Sequence, residues 1–222
     1  MNNPTPGNKP KKLEPMADFF TARLDNYEAH MLRNGDSNYR KLSELVPENT
    51  KRLLDLGCGT GLELDWIFKR LPYISVTGID LTPAMLYKLQ QKHPDKKLDL
   101  LCRNYFEIDL GKNIYDAAIS CATLHHFLRD NKIKLYKNIH GALKAHGLYF
   151  EDDYMVDEKS LDNMQSESTR LRHEQNIPDG EFYHFDIPYT IEDQIEMLKE
   201  AGFTRIDITN RSDTGAILIA HK

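Results

Sequence analysis

The sequence predicts an α/β fold: a doubly wound, mostly parallel seven-stranded sheet with an antiparallel C-terminal strand and helices on both faces. Three observations carry that reading. Short apolar runs alternate with amphipathic stretches of helical period through the middle of the chain. A glycine-rich turn, "LGCGTG", joins the first such run to the first such helix. The chain closes on two strand-like segments joined by the tight turn "RSDT". Strand and helix in alternation imply βαβ units, which bury both faces of a parallel sheet.

Taken in order, residues 1–15 ("MNNPTPGNKPKKLEP") lack an apolar core and read as a disordered tail rather than a secretory signal. Phe19, Phe20, Leu24, Tyr27 and Met31 then recur at helical spacing, and Asn34-Gly35 is expected to stop that helix. A second short helix over 37–46 ends before Pro47, completing an N-terminal helical extension, 16–47, of one domain spanning 16–222. Strands are predicted at 51–56, 74–80, 97–102, 115–121 and 148–154. Helices are predicted at 61–71, at 82–93 with Thr82 as N-cap and Pro83 in its first turn, and at 129–147, closed by a glycine. Residues 155–187 interrupt the alternation as a polar, helical, lid-like insertion with eight acidic and three basic residues. A helix at 190–203 and strands at 204–210 and 215–221 close the chain.

Composition narrows the function. With 222 residues and 40% hydrophobic content the chain can build one substantial core, and no apolar run approaches the length of a membrane span. The net charge of −5 argues against nucleic acid, which wants a basic face. Cys58, Cys102 and Cys121 form no CxxC pair, which points to a reducing cytoplasm and to neither disulfides nor a zinc site.

Gly57, Gly59 and Gly61 follow the first strand, where open α/β sheets bind ligands. Bare backbone there turns tightly and brings N–H groups close to a ligand. The spacing G-x-G-x-G is neither the G-x-G-x-x-G of dinucleotide sites nor a P-loop, so an NAD-dependent dehydrogenase is disfavoured. Asp80 ends the second strand, 19 residues beyond Gly61, where a carboxylate can accept both hydroxyls of a ribose. Capping the helix that begins at 82 is its alternative use.

The blocks "LLDLGCGTG", "GIDLTPAML", "YDAAISCATLHHF" and "LKEAGF", in this order and spacing, resemble the class I S-adenosylmethionine-dependent methyltransferases, small-molecule type. The resemblance runs over about 51–154 and 190–222 and implies a Rossmann-like sheet with S-adenosyl-L-methionine as cofactor and S-adenosyl-L-homocysteine as product. It implies that Asp55, Gly57, Cys58, Gly59 and Gly61 line the methionine end, that Asp80 holds the ribose, and that Leu81 and Met85 pack on the adenine. Asn104-Tyr105 stands where such enzymes often carry Asp and a small or apolar residue at the adenine, and Cys121-Ala122 runs beside the cofactor.

A sulfonium is already an activated methyl donor, so the protein has to hold an acceptor in line behind the methyl and exclude water. A thiol or amine acceptor needs little acid–base help, whereas a phenol or carbon acid needs a base. His125, in "TLHHF", and Glu151, in "EDDY", are the candidate bases, with Asp153 beside the latter; packing is the alternative use of each. No metal is expected, since His125 and His126 are chain neighbours and should point apart. Phe182, Tyr183, His184 and Phe185 could cover an acceptor, and Tyr27 and His30 the methionine end. The expected function is methyl transfer to a small-molecule acceptor in the cytoplasm, with a homodimer left open. A tRNA-modifying enzyme and a non-catalytic cofactor-binding subunit remain the alternatives.

Overall fold

The computed structural model describes residues 12–178 and 181–222. Its seven strands are β1 (Arg52–Leu56), β2 (Ser75–Asp80), β3 (Lys97–Cys102), β4 (Tyr115–Cys121), β5 (Leu143–Tyr154), β6 (Arg205–Ser212) and β7 (Gly215–His221). They form one sheet of order β3-β2-β1-β4-β5-β7-β6, in which only β7 runs antiparallel to its neighbours. This is the Rossmann-like architecture expected from the alternation. The strand order reverses between β1 and β4, which opens the ligand-binding crevice at their carboxyl ends.

Two layers of helices cover the sheet. The C-terminal half of α1 (Met16–Leu45), α2 (Leu62–Arg70) and α3 (Pro83–Lys92) pack on one face, against Leu53, Val76, Ala117, Ile119 and Phe150. On the other face α4 (Arg129–Ala142) and α6 (Ile191–Glu200) pack against Leu54, Ala118, Tyr149 and Leu218. The two sets alternate along each strand, as a sheet buried on both sides requires.

Four expectations change. Asn34-Gly35 does not stop the first helix: α1 runs unbroken for 30 residues. A glycine costs a helix about 1 kcal/mol, less than the gain from burying Tyr39, Leu42 and Val46 beyond it. The helix predicted over 129–147 ends at Ala142, because Leu143 already pairs with Tyr115 as the first residue of β5. Gly147 therefore lies in the irregular start of β5, where a Cβ would meet the Lys144 carbonyl at 2.9 Å. Residues 12–15 of the expected tail are packed: Leu13 meets Leu171, Phe185 and Ile187, and Pro15 bridges Tyr183. Its first eleven residues lie outside the described residues. The insertion is helical over α5 (Glu158–Glu174), as expected, with Asp157 capping its first turn through the Ser160 N–H.

Glu151 is not at the ligand edge. Its carboxylate is wholly buried beneath the sheet on the α4/α6 face. Tyr136 donates to it at 2.7 Å and Tyr149 at 3.1 Å; Lys132 Nζ stands 3.4 Å away, and Gln194 Nε2 also donates to it. It ties α4 and α6 to β5, and the catalytic role expected for it is withdrawn. Removing one partner of a buried ion pair strands the other. Lys132→Met should accordingly cost about 3–5 kcal/mol in urea unfolding. A loss below about 1 kcal/mol would show that Glu151 is held neutral and needs no cation.

Candidate active site

The glycine loop turns back on the end of β2. The N–H groups of Gly57 and Cys58 both donate to the Ile79 carbonyl, at 2.8 and 3.2 Å. Gly57 has φ +69°, and a Cβ on it would fall 2.3 Å from Thr123 Oγ1, so packing and backbone both demand glycine. Gly59, at φ +48°, is different: a Cβ there would meet little besides the Tyr27 hydroxyl at 3.7 Å. Its open side is a cradle facing the crevice. Cys58 presents only backbone to the loop, since its Sγ packs on Gly78 in the core. Gly61 opens α2 as its N-cap.

Asp80 links this loop to the next helix. Its Oδ2 accepts from the Gly59 N–H at 2.9 Å and its Oδ1 from the Thr82 N–H at 2.7 Å. Both anticipated uses of Asp80 are therefore compatible: each oxygen keeps a second lone pair for a ligand. Thr82 occupies the N-cap position of α3, but its hydroxyl makes no capping bond. Burial raises the Asp80 pKa in spite of these donors.

Behind the loop, at the end of β1, Asp55 is 1% exposed, and neither of its oxygens accepts a hydrogen bond from an N–H or hydroxyl donor. Glu63, in the first turn of α2, faces it. Burial and the Glu63 charge push Asp55 well above the carboxylate range, and burial lifts Glu63 to about 7. Two buried carboxylates without a cation between them are an incomplete arrangement that a positively charged ligand would complete.

The remaining predicted residues divide. Leu81 and Tyr105 join Gly57 and Asp80 around a small cavity of about 40 Å³, roofed by Met16 and Phe20 of α1. Tyr105 hydrogen-bonds Thr123 at 3.3 Å. Asn104 does not reach the crevice: its amide donates to Glu107 at 2.7 Å and accepts from the Phe106 N–H at 3.0 Å. Its side chain organises its own loop, so the adenine contact expected of it is withdrawn. Met85 is buried within α3 and lies outside the wall of that cavity.

Cys121 and Ala122 end β4 at a second cavity of about 350 Å³, closed by His30 and Tyr39 of α1 and by the turn between β6 and β7. Ala122 holds φ +48° and donates its N–H to the Asp152 carbonyl at 2.8 Å, a strained bend at the cavity wall. Asp152 lines this cavity as well, a residue not singled out in the sequence. Burial, then the neighbouring Asp153 charge, lift it to about 7, against the opposing thiol hydrogen bond of Cys121. His125 faces elsewhere: its Nδ1 is 2.5 Å from Asp153 Oδ1 and its Nε2 3.7 Å from Asp186. Burial works against its imidazolium, yet Asp153 and Asp186 outweigh it and raise the pKa.

A glycine loop after β1, a carboxylate at the end of β2 and an unneutralised acidic pair between them define an enzyme for a cationic, nucleoside-bearing ligand. Residues 54–149 match the family described as a methyltransferase domain. Carboxy-S-adenosyl-L-methionine synthase of a Nitratiruptor species is 30% identical over 183 residues, 75% of each chain. This chain belongs to the S-adenosylmethionine-dependent methyltransferases, class I, and its cofactor is S-adenosyl-L-methionine. Among solved structures, a candidate O-methyltransferase of Nostoc punctiforme PCC 73102 superposes with a TM-score of 0.72 at 18% identity. It covers 97% of this chain, which spans 64% of that one. Human N-acetylserotonin methyltransferase, solved with the cofactor, gives 0.64 at 17% identity, over 94% of this chain and 60% of its own. Both likenesses show the fold.

A carboxyl whose folded pKa is raised binds more protons folded than unfolded, so stability falls as pH climbs from the unfolded to the folded value. For Glu63 that window runs from 4.5 to about 7. The ligand-free chain should lose roughly 2–4 kcal/mol across it, measured by urea unfolding. In Glu63→Gln, with that carboxyl gone, the loss should shrink by more than half; an unchanged slope would remove Glu63 as its source.

Proposed function

We propose that this chain moves a methyl group from S-adenosyl-L-methionine to a neutral or cationic small molecule bound in the 350 Å³ cavity beside Cys121-Ala122, with Asp152 taking the acceptor's proton. The observation that carries this is Asp152 itself: a buried carboxylate on the cavity wall, lifted to about 7, where a general base works best near neutral pH. It takes the position anticipated for His125 and Glu151. The cofactor supplies a methyl already activated on a sulfonium sulfur.

The chain's own residues do the rest. Asp55 and Glu63 face the cofactor's ammonium, whose charge satisfies the orphaned carboxylate oxygens. Gly59 leaves room for the methionine portion, Asp80 receives the ribose hydroxyls, and Leu81 and Tyr105 flank the base. Tyr27 and His30 of α1 roof the methionine end and the cavity, excluding water. The acidic wall favours a cation or a neutral acceptor over nucleic acid. It also disfavours a carboxylated sulfonium of the kind named in the Nitratiruptor relative, which would set an anion beside Asp152. Three unpaired cysteines support a reducing cytoplasm as the site of action.

Asp80→Ala should weaken cofactor binding by about 1–3 kcal/mol, the cost of stranding polar partners. Unchanged calorimetric affinity would remove the ribose assignment. Acceptors are found by screening phenols, amines and thiols for release of S-adenosylhomocysteine. With a phenolic acceptor, Asp152→Asn should lower kcat by roughly 10²–10⁴-fold and leave cofactor affinity intact. The wild-type kcat should rise with pH through about 7 as Asp152 loses its proton. A variant that keeps full turnover contradicts the base assignment.

A further inference from the structure

Behind the cofactor cleft lies a second polar centre that methyl transfer as derived above does not use. Leu124–His126 form a single 3-10 turn after β4. Chain neighbours on an extended strand point apart, but this turn brings the rings of His125 and His126 to 4.0 Å between centroids. The segment after α5 crosses the turn and adds Asp186. Its Oδ1 lies 3.2 Å from His126 Nδ1 and 3.7 Å from His125 Nε2. The three donor atoms all fall within 4.8 Å of one another, the one such group of three among the described residues.

Two independent features mark this cluster as built to hold something. Asp186 Oδ1 is buried and accepts no well-aligned hydrogen bond. His125 Nδ1 is engaged by Asp153, whose Oδ2 is itself pinned by the Leu124 N–H at 2.9 Å. A carboxylate on one imidazole nitrogen fixes the tautomer and presents the other nitrogen's lone pair, the usual outer support of a metal-bound histidine.

We propose that His125 Nε2, His126 Nδ1 and Asp186 Oδ1 bind one divalent transition-metal ion of the zinc class. Two imidazoles and a carboxylate are a donor set that zinc accepts, and three protein ligands leave a fourth tetrahedral position for water. Bonds of about 2.0–2.2 Å place tetrahedral donors roughly 3.3 Å apart. The two spacings to Asp186 are already close to that value, and a modest rotation of the two rings closes the third. The charges of Asp153 and Asp186 sum with the ion to zero.

The ion would fasten the 182–187 segment to the end of β4. On that segment Phe182 packs against Phe106 and Phe127, and His184 stacks on Phe19 of α1 at 3.4 Å. The metal thus holds the roof of the cofactor cleft in place. This inference does not depend on the methyl-transfer reading, because it is read without cofactor or acceptor.

The test uses the full chain without an affinity tag, stripped by chelator and titrated calorimetrically with zinc chloride. Cobalt chloride serves as a second probe through its visible ligand-field bands. One ion per chain is expected, with four-coordinate cobalt bands. Affinity should fall by at least about tenfold in His126→Ala and in Asp186→Asn, with circular dichroism unchanged. Asp186 is partly exposed and Asn matches it in shape, so that variant folds. No zinc binding to the wild type, or equal binding in both variants, overturns the proposal and leaves the cluster as an ion pair between protonated His125 and its two aspartates.

Discussion

Carboxylates taken out of water in and around the sheet are the constraint on which the rest of this molecule depends. Removing a carboxylate from water is costly unless a cation or donors replace the lost hydration. The chain meets that requirement fully in some places and leaves it open in others. Glu151 has Lys132, two tyrosines and Gln194; Asp65 has Lys92 and His93 at 2.7 Å each. Asp55 has only another carboxylate. Asp55 and Glu63, behind the glycine loop, and Asp152, on the wall of the larger cavity, are left without a cation. The acids that need nothing further are structural.

The fold delivers this separation by simple means. Parallel strands end together at one edge, so Asp55 and Asp80, from different strands, come near enough for their charges to interact. The glycine loop lets the chain reverse there without a side chain in the way, and its N–H groups tie Asp80 to the turn. One long helix, α1, closes the opening, with Met16 and Phe20 over the small cavity and His30 and Tyr39 over the larger one. The residues just before α1 and the segment after α5 hold each other through Pro15 and Tyr183, so roof and insertion form one cover.

The strands, the crossover helices and the glycine turn that meets Asp80 at the end of β2 were legible in the sequence because they depend on local pattern. The errors came where tertiary contacts decide. Asn34-Gly35 looks like a stop signal, but the buried Tyr39 and Leu42 that carry α1 past it belong to the core and not to the helix itself. Glu151 and Asp152 are adjacent on β5, and the period of two sends them to opposite faces. With three acids in a row, hydropathy cannot say which one meets the ligand. Asn104 reads as a ligand contact because its neighbours fit the family, whereas its amide is consumed two and three residues ahead. His125 and His126 converge only because a 3-10 turn follows β4, and Asp186 joins them from 60 residues away.

The central claim is that the acidic pair of Asp55 and Glu63 awaits a positive charge. Its most direct test is cofactor affinity against pH, by calorimetry in buffers of different ionisation enthalpy. With Glu63 lifted to about 7 in the free protein, the cofactor's ammonium has to displace a proton from the pair. The predicted result is affinity that tightens as pH rises from about 6 to about 8, with close to one proton released near pH 6.5 and less in Glu63→Gln. Affinity that is flat across that range, with no proton released, would contradict it.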